Sequence, residues 1–355
     1  MVLVVHIPQS SYHIASHTSS QISVLIELAK MEKESRFIFY MDSALENAGM
    51  MPSNLQIKWV KPVIKNRLLQ YYWYQFKLPG ILKKEKATAF LSLQPFDASL
   101  NEIPYFVWLT DLHLLNNSSF GISRRKLSSC FHQAKSVLVP GNDSAVGLPR
   151  QFSVSIQTQL LPPPVNTGNK ENELVEADDA AYFTAPVCSA DMQRLRILIK
   201  AFTLFKKRQR SAMSLKLIVP SHLIGKVESL LSAYKLKTHL AVIPINHWRE
   251  GLAYFYEAYA SLYFPEALLA DELTEQLLLA RKSLVCTEHP FWRDIYLEGA
   301  VYSPYNEEMI SLQMMNLYKN ESRKIARDLY LSAICNQRSI TATAIRLSAI
   351  LSLTP

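Results

Sequence analysis

The amino-acid sequence predicts an α/β protein made of two doubly wound domains. Residues 1–160 alternate short apolar runs with amphipathic ones, and a second alternating series begins at 181. Between them, 161–180 carries three consecutive prolines and then a polar, acid-rich run, which reads as an exposed interdomain linker. Repeated strand-helix alternation needs parallel crossovers, so each series folds as a parallel sheet covered by helices.

In chain order, Val2–His6 reads as a buried strand and Gln21–Lys30 as an amphipathic helix with Ile22, Leu25, Ile26 and Ala29 on one face. Strands follow at Arg36–Tyr40, Leu55–Val60, Ala87–Leu93, Tyr105–Leu109 and Ser136–Val139, with helices at Asn66–Phe76 and Arg124–His132. The second series reads as strand Tyr182–Val187, helix Asp191–Phe205, strand Leu215–Val219, helix Ser221–Tyr234, strand His239–Pro244 and helix Trp248–Tyr259. Ser221 is the expected N-cap of its helix. Glu257 to Thr287 then encloses strand Leu262–Phe264, an acidic loop, a helix through Leu279 and strand Ser283–Cys286, which describes a βαβ unit. Helical patterns at Glu307–Leu317, Glu321–Cys335 and Ser339–Leu351 close the chain. The resulting domains are 1–160, a linker at 161–180, 181–335, and a last helix within 336–355 that could cross back to the first domain.

The bulk properties exclude several classes. With 355 residues, 49% of them hydrophobic and 19% charged, the chain is globular rather than disordered and long enough for two cores. A net charge of +8 favours acidic surroundings such as anionic lipid or phosphorylated ligands. Cys130, Cys188, Cys286 and Cys335 form no CxxC pair, so a reducing cytoplasm is the expected compartment. The short apolar start has no basic region before it, unlike a signal peptide, and no run approaches a membrane span. The histidines show no HExxH or comparable spacing, so no metal is expected. GxSxG and GxxxxGK[ST] are both absent. Cys286 reads as a packed small hydrophobe. Only 9 glycines occur, fewer than a phosphate-cradling enzyme normally uses.

Particular segments go further. LRILIKAFTLFKKR (Leu195–Arg208), LKLIVP, LAYFYEAYASLYFP (Leu252–Pro265), AVYSPYNEEMISLQMMNLY (Ala300–Tyr318) and RKIARDLYLSA (Arg323–Ala333) resemble the family 4 glycosyltransferases. Weaker echoes lie in YYWYQFKLPGILKKEKATAFLS, IPYFVWLTDLHLL and AKSVLVPGNDSA. The resemblance implies the GT-B fold, two Rossmann-like domains facing a central cleft. It also implies a retaining, metal-independent hexosyl transfer from a nucleotide sugar.

The family's signature is a Glu-x7-Glu pair after the Phe-Pro, set among glycines. Its carboxylates face the reacting sugar and hold ribose hydroxyls through charge-assisted hydrogen bonds. Counting without gaps from Phe264-Pro265, those positions are Leu269 and Leu277, and the small residues become Ala270, Glu272 and Lys282. Acids occur instead at Glu266, Asp271, Glu272 and Glu275, no two of them eight apart. The diphosphate anchors, a Gly-Arg and a following Lys in the family, correspond to Val187, Cys188 and Gln193; Arg194 or Arg196 could substitute, but solvated helix-surface arginines are the leading reading. On the acceptor side, the glycine-rich turn after the first strand is replaced by SSYHIASHTSS, where His13 and His17 could contact a ligand, although two polar loop histidines are the leading reading. The family's His-Asp reads Thr110-Asp111, leaving Asp111 as the catalytic candidate that could touch an acceptor hydroxyl, with an N-cap or turn role weighing at least as much.

The segment 58–86 is basic and aromatic. Lys58, Lys61, Lys65, Arg67, Lys77, Lys83, Lys84 and Lys86 interleave with Trp59, Tyr71, Tyr72, Trp73, Tyr74 and Phe76. The leading expectation is a core helix with a solvated basic edge. Contact with anionic membrane, as in membrane-associated members of the resembled family, comes second and nucleic acid a distant third.

These readings converge on a GT-B protein lacking the carboxylate pair and the diphosphate cations. The expected role is a non-catalytic or impaired homologue serving as a scaffold in glycan assembly, with an active glycosyltransferase as a partner. The alternative is an active, divergent retaining transferase using a nucleotide-sugar donor, without metal, on a glycan or lipid-linked acceptor. Either would sit in the cytoplasm, with the inner face of the membrane as a docking place through 58–86.

Overall fold

The computed structural model describes residues 1–7, 17–41, 51–61, 67–96, 100, 103–109, 124–152, 155–167, 181–232, 234 and 237–352. The chain forms two compact units, Met1–Pro164 with Arg338–Pro355, and Val165–Gln337.

The first unit runs β1 (Val2–Ile7), α1 (His17–Met31), β2 (Arg36–Met41), β3 (Leu55–Trp59) and α2 (Arg67–Tyr72). A π-helical turn at Trp73–Lys77 joins α2 to α3 (Leu78–Glu85). Then come β4 (Ala89–Ser92), β5 (Tyr105–Trp108), α4 (Arg124–Gln133), β6 (Ser136–Val139), α5 (Asn142–Phe152) and β7 (Thr158–Leu160). The strands make one sheet of order β3-β2-β1-β4-β5-β6-β7, parallel throughout. Because side chains alternate along a strand, Leu3, Val5 and Ile7 pack on α1 while Val4 faces Trp73, Tyr74, Leu78 and Leu82. Both faces of the sheet are therefore covered, as a parallel sheet requires.

The second unit runs β8 (Tyr182–Pro186), α6 (Met192–Gln209), β9 (Ser214–Pro220), α7 (Ile224–Leu231), β10 (Leu240–Ile245), α8 (Leu252–Glu257) and β11 (Ala260–Tyr263). It continues through α9 (Glu272–Ala280), β12 (Leu284–Thr287), α10 (Pro290–Tyr296), β13 (Ala300–Ser303), α11 (Glu307–Lys319) and α12 (Glu321–Gln337). Its sheet is also parallel throughout, in the order β10-β9-β8-β11-β12-β13. The last helix, α13 (Ile340–Ser352), belongs to the first unit, where it lies against α1 and adds Ala344, Leu347 and Leu351 to the core. In both sheets the strand order reverses beside the first strand, at β1/β4 and at β8/β11. The carboxyl ends there are the favoured ligand position of doubly wound sheets.

Three local expectations are corrected. Ser221 is not an N-cap: its hydroxyl donates to Ile245 O at 3.0 Å and Asn246 Oδ1 at 2.8 Å, and a 3₁₀ turn precedes α7. Residues 161–165 are not an exposed linker, because Leu161 and Val165 are fully buried and the Leu161 N–H donates to Val139 O. The helix expected to stop at Phe76 continues to Glu85, carried through by the π turn, whose flanking residues Tyr72 and Leu78 keep right-handed helical backbone. Trp73 and Tyr74 are core residues, joined by ring contacts to Phe96, Phe90 and Tyr105. Without glycine at their ends, α3, α6 and α9 terminate in left-handed Lys86 (φ 53°), Arg210 (φ 49°) and Arg281 (φ 55°). Glycine is the usual residue at such positions.

Candidate functional site

The switch point of the second unit lies between the ends of β8 and β11, held together lower down by a buried Thr184–Ser261 hydroxyl pair at 2.8 Å. Beyond β8, Asp191 caps α6 by accepting from the Gln193 N–H at 2.9 Å. This cap places Arg194 in the first turn of α6, beside the end of β11. Its Nη2 donates to Phe264 O at 3.2 Å, its Nε pairs with Glu266 at 3.2 Å, and its guanidinium lies 4.2 Å from the centre of the Tyr305 ring. The Tyr305 hydroxyl in turn donates to Arg194 O at 2.6 Å. Burial pushes the Tyr305 phenol up despite the neighbouring cation, so it stays a donor. Arg194 is thus the cation at the switch point, and its charge is already matched by Glu266.

Gln193 and Arg196 are exposed, and Arg196 donates to Gln193 Oε1 at 3.3 Å. Arg196 therefore does not join Arg194. Cys188, just beyond β8, is exposed, and its thiol lies against Pro186 O at 3.6 Å. Desolvation raises its thiol, Asp271 adds to the rise and Arg194 opposes it. Access to water tempers that rise, and the group remains a thiol rather than a nucleophilic thiolate.

The loop after β11 uses its acids structurally. Glu266 pairs with Arg194. Asp271 caps α9, its Oδ1 accepting from the Thr274 N–H at 3.0 Å while the Thr274 hydroxyl accepts from the Asp271 N–H at 3.2 Å. Glu272 pairs with Arg249 at 3.0 Å, and Glu275 Oε1 accepts from the Asn166 N–H at 2.8 Å. Leu269 is half-buried and Leu277 fully buried, so apolar packing occupies both positions assigned to the carboxylate pair by counting.

α9 ends in left-handed Arg281, one position before Lys282, and Gln276 precedes Leu277 on the same helix. Gln276 is 4% exposed, and its Oε1 has no hydrogen-bond partner among the described residues. Tyr305 carried no sequence signal; its role comes only from tertiary contact with Arg194.

The first unit's switch point is filled differently. The Tyr74 hydroxyl lies 3.0 Å from His6 Nδ1 and accepts from Gln94 Nε2 at 3.0 Å, while Ser92 Oγ donates to Gln94 O at 2.7 Å. All four residues are buried. His13, Thr110 and Asp111 lie outside the described residues, and His17 opens α1 with its side chain likewise outside them. Among the described residues, no group of three or more His, Cys, Asp or Glu could hold a metal ion, and no helix is long and apolar enough to cross a membrane. Cys286 is buried on β12, as expected of a packed hydrophobe.

Neither a family model nor a curated protein sequence matches the chain. Solved structures do. A glycosyltransferase from Rickettsia africae has a TM-score of 0.70 at 10% identity, covering 98% of this chain and 97% of its own. Sucrose-phosphate synthase from Thermosynechococcus elongatus has a TM-score of 0.67 at 10% identity, covering 99% and 98%. Anabaena HepE, solved with UDP and glucose, has a TM-score of 0.66 at 9% identity, covering 99% of each chain. Identities this low speak to fold alone, and the fold they share with this chain from end to end is GT-B.

Proposed function

We propose that this chain is a glycosyltransferase-like protein that does not bind a nucleotide sugar productively and acts as a scaffold in glycan assembly, paired with an active transferase. The observation that carries the reading is the commitment of every charge at the second switch point. Glu266, Asp271, Glu272 and Glu275 are engaged with Arg194, Thr274, Arg249 and the Asn166 amide, and Arg194 is matched by Glu266. A lost charged hydrogen bond forfeits roughly 1.5–3 kcal/mol. Two carboxylates and two cations together account for more than the ~4–8 kcal/mol that holds a ligand between millimolar and micromolar affinity. A reducing compartment fits the four free cysteines. Calorimetric titration of the full chain with UDP-, GDP- and ADP-glucose tests the reading. Flat isotherms below millimolar ligand are expected, and a micromolar dissociation constant for any donor would overturn it.

Gln276 favours a second reading, a divergent retaining transferase that needs no metal. Its Oε1, without a hydrogen-bond partner among the described residues, is an acceptor for a ribose hydroxyl one position before Leu277, where counting places the family's second carboxylate. On that reading one donor gives a saturable isotherm and Gln276→Leu abolishes it.

A further inference from the structure

Helix α12 is packed on one side only, although its side chains are apolar on two. The inner side carries Leu331, Ile334 and Cys335, all buried, together with Lys324, which pairs with Asp328 at 2.8 Å. At 3.6 residues per turn, Ser322, Ile325, Ala326, Leu329, Ala333 and Asn336 fall within about 100° of arc on the opposite side. All six are exposed and none is charged. Leu329 is 67% exposed and Ile325 50%, and Tyr330 stands at the margin of the stripe. A helix with two apolar faces is normally covered on both, and a contiguous uncharged stripe in water marks an interaction surface.

The charges at the two ends of the stripe are of opposite sign. Glu321 opens α12, and Arg281 reaches its far end, where Nη2 donates to Asn336 Oδ1 at 3.4 Å. Neither Glu321 nor Arg281 forms an ion pair among the described residues. Glu321 shares one edge of α12 with Asp328, seven residues on. The N–H of Ser283, two residues after Arg281, donates to Asp328 Oδ1 at 2.6 Å, so Glu321 and Arg281 lie along the same edge. Leu329 stands midway, eight residues from either end of the helix. A two-fold axis through Leu329 therefore sets Ile325 of one copy against Ala333 of the other, Ser322 against Asn336, and each Glu321 beside the opposite Arg281. Ala326 and Ala333 present only methyl groups, which lets a second helix come close.

We infer that the outer stripe of α12 docks on the same stripe of a second copy of this chain, the two helices running antiparallel with Leu329 at the axis and two Glu321–Arg281 ion pairs at the ends. A second copy fits better than an unrelated protein, because an inverted copy already supplies the complementary charge at each end. The stripe is about 21 Å long and smaller than the roughly 800 Å² per partner of a standard interface. The pair should therefore form at about 10–100 μM rather than at nanomolar concentration. The inference is independent of whether the chain binds a nucleotide sugar.

The test is sedimentation velocity of the full chain between about 1 μM and about 300 μM. The weight-average coefficient should rise from monomer towards dimer, and Leu329→Glu, which sets two carboxylates face to face at the axis, should keep the chain monomeric throughout. Glu321→Arg should weaken association several-fold, and adding Arg281→Glu should restore it, a rescue that indiscriminate apolar sticking does not show. Cysteine pairing reads the geometry, in a Cys188→Ser background that removes the exposed thiol. Leu329→Cys should give a covalent dimer on mild oxidation. Ile325→Cys, about 12 Å from its own copy, should do so only when mixed with Ala333→Cys. A monomer at every concentration, association indifferent to Leu329→Glu, failure of the charge exchange to rescue, or a covalent dimer from Ile325→Cys alone would each overturn the inference. The first of these outcomes leaves the stripe to a different protein.

Discussion

The two switch points occupy the same place in two sheets of the same strand order, and they are closed by opposite means. In the first unit, buried side chains occupy it: His6, Tyr74, Ser92 and Gln94 are joined by hydrogen bonds. In the second, a charged pair occupies it, with Arg194 half-buried and Glu266 49% exposed. A buried hydrogen-bonded network is expensive to open, because each group left behind lacks a partner. A surface ion pair is cheap to open, because water replaces either member at little cost. The contrast teaches that strand order reserves a position for a ligand without deciding whether the position stays available. Only the second unit's closure is one that a competing anion could reverse.

Four substitutions sharpen or break this contrast. The largest effect belongs to Leu277→Glu, which would restore a carboxylate by counting. In this packing it inserts an unpaired charge into the core, and chemical denaturation should show a loss of about 3–5 kcal/mol. Near-neutral behaviour would mean that the helix register is not as described. Next comes Tyr74→Phe, which keeps the stacking on Phe96 at 3.9 Å but removes the hydroxyl shared by His6 and Gln94. A loss of about 1–3 kcal/mol is expected from the unsatisfied partners. Glu266→Gln should change stability by less than about 1 kcal/mol, and titration with UDP-glucose should remain flat. A micromolar isotherm in this variant alone would show that Glu266 merely gates an anion site.

The smallest effect is one of pH. Lys58 is the main cause that holds the Glu85 carboxyl below its ordinary value of 4.5, with burial opposing it. Since the folded value lies below the unfolded one, the stabilisation is present above pH 4.5 and is lost as pH falls through the folded value. Lys58→Met should therefore lower the urea midpoint at neutral pH, and its gap from the unaltered chain should narrow progressively below pH 4.5.

Much of the architecture was legible because apolar runs such as Val2–Ile7 and Ser136–Val139 have no alternative but a buried parallel strand. Elements with weaker patterns were missed. β7 has three residues and no buried side chain, α5 contains Pro149, α10 falls in a stretch to which no element was assigned, and β13 in one read only through its likeness to other sequences. The site was less legible than the fold. The helix after its loop, α9, ends in a backbone conformation, the left-handed Arg281, that an arginine does not announce as a glycine would. The closure of Arg194 depends on Tyr305, more than a hundred residues away, which no local pattern connects to it. Trp73 and Phe76 show the same limit within one helix: the π turn, invisible in composition, accompanies the burial of one and the exposure of the other.

The placement of α13 bears on how the protein is made. The first unit is encoded in two pieces, and the second lies wholly between them. During translation, the face of the first sheet that takes Ala344, Leu347 and Leu351 must wait until all of Val165–Gln337 has left the ribosome. The second unit has every strand of its sheet in hand before then, so it can finish folding while the first remains open along α1. A ribosome stalled after Gln337 would thus hold a completed second unit and a first unit still offering apolar surface to chaperones.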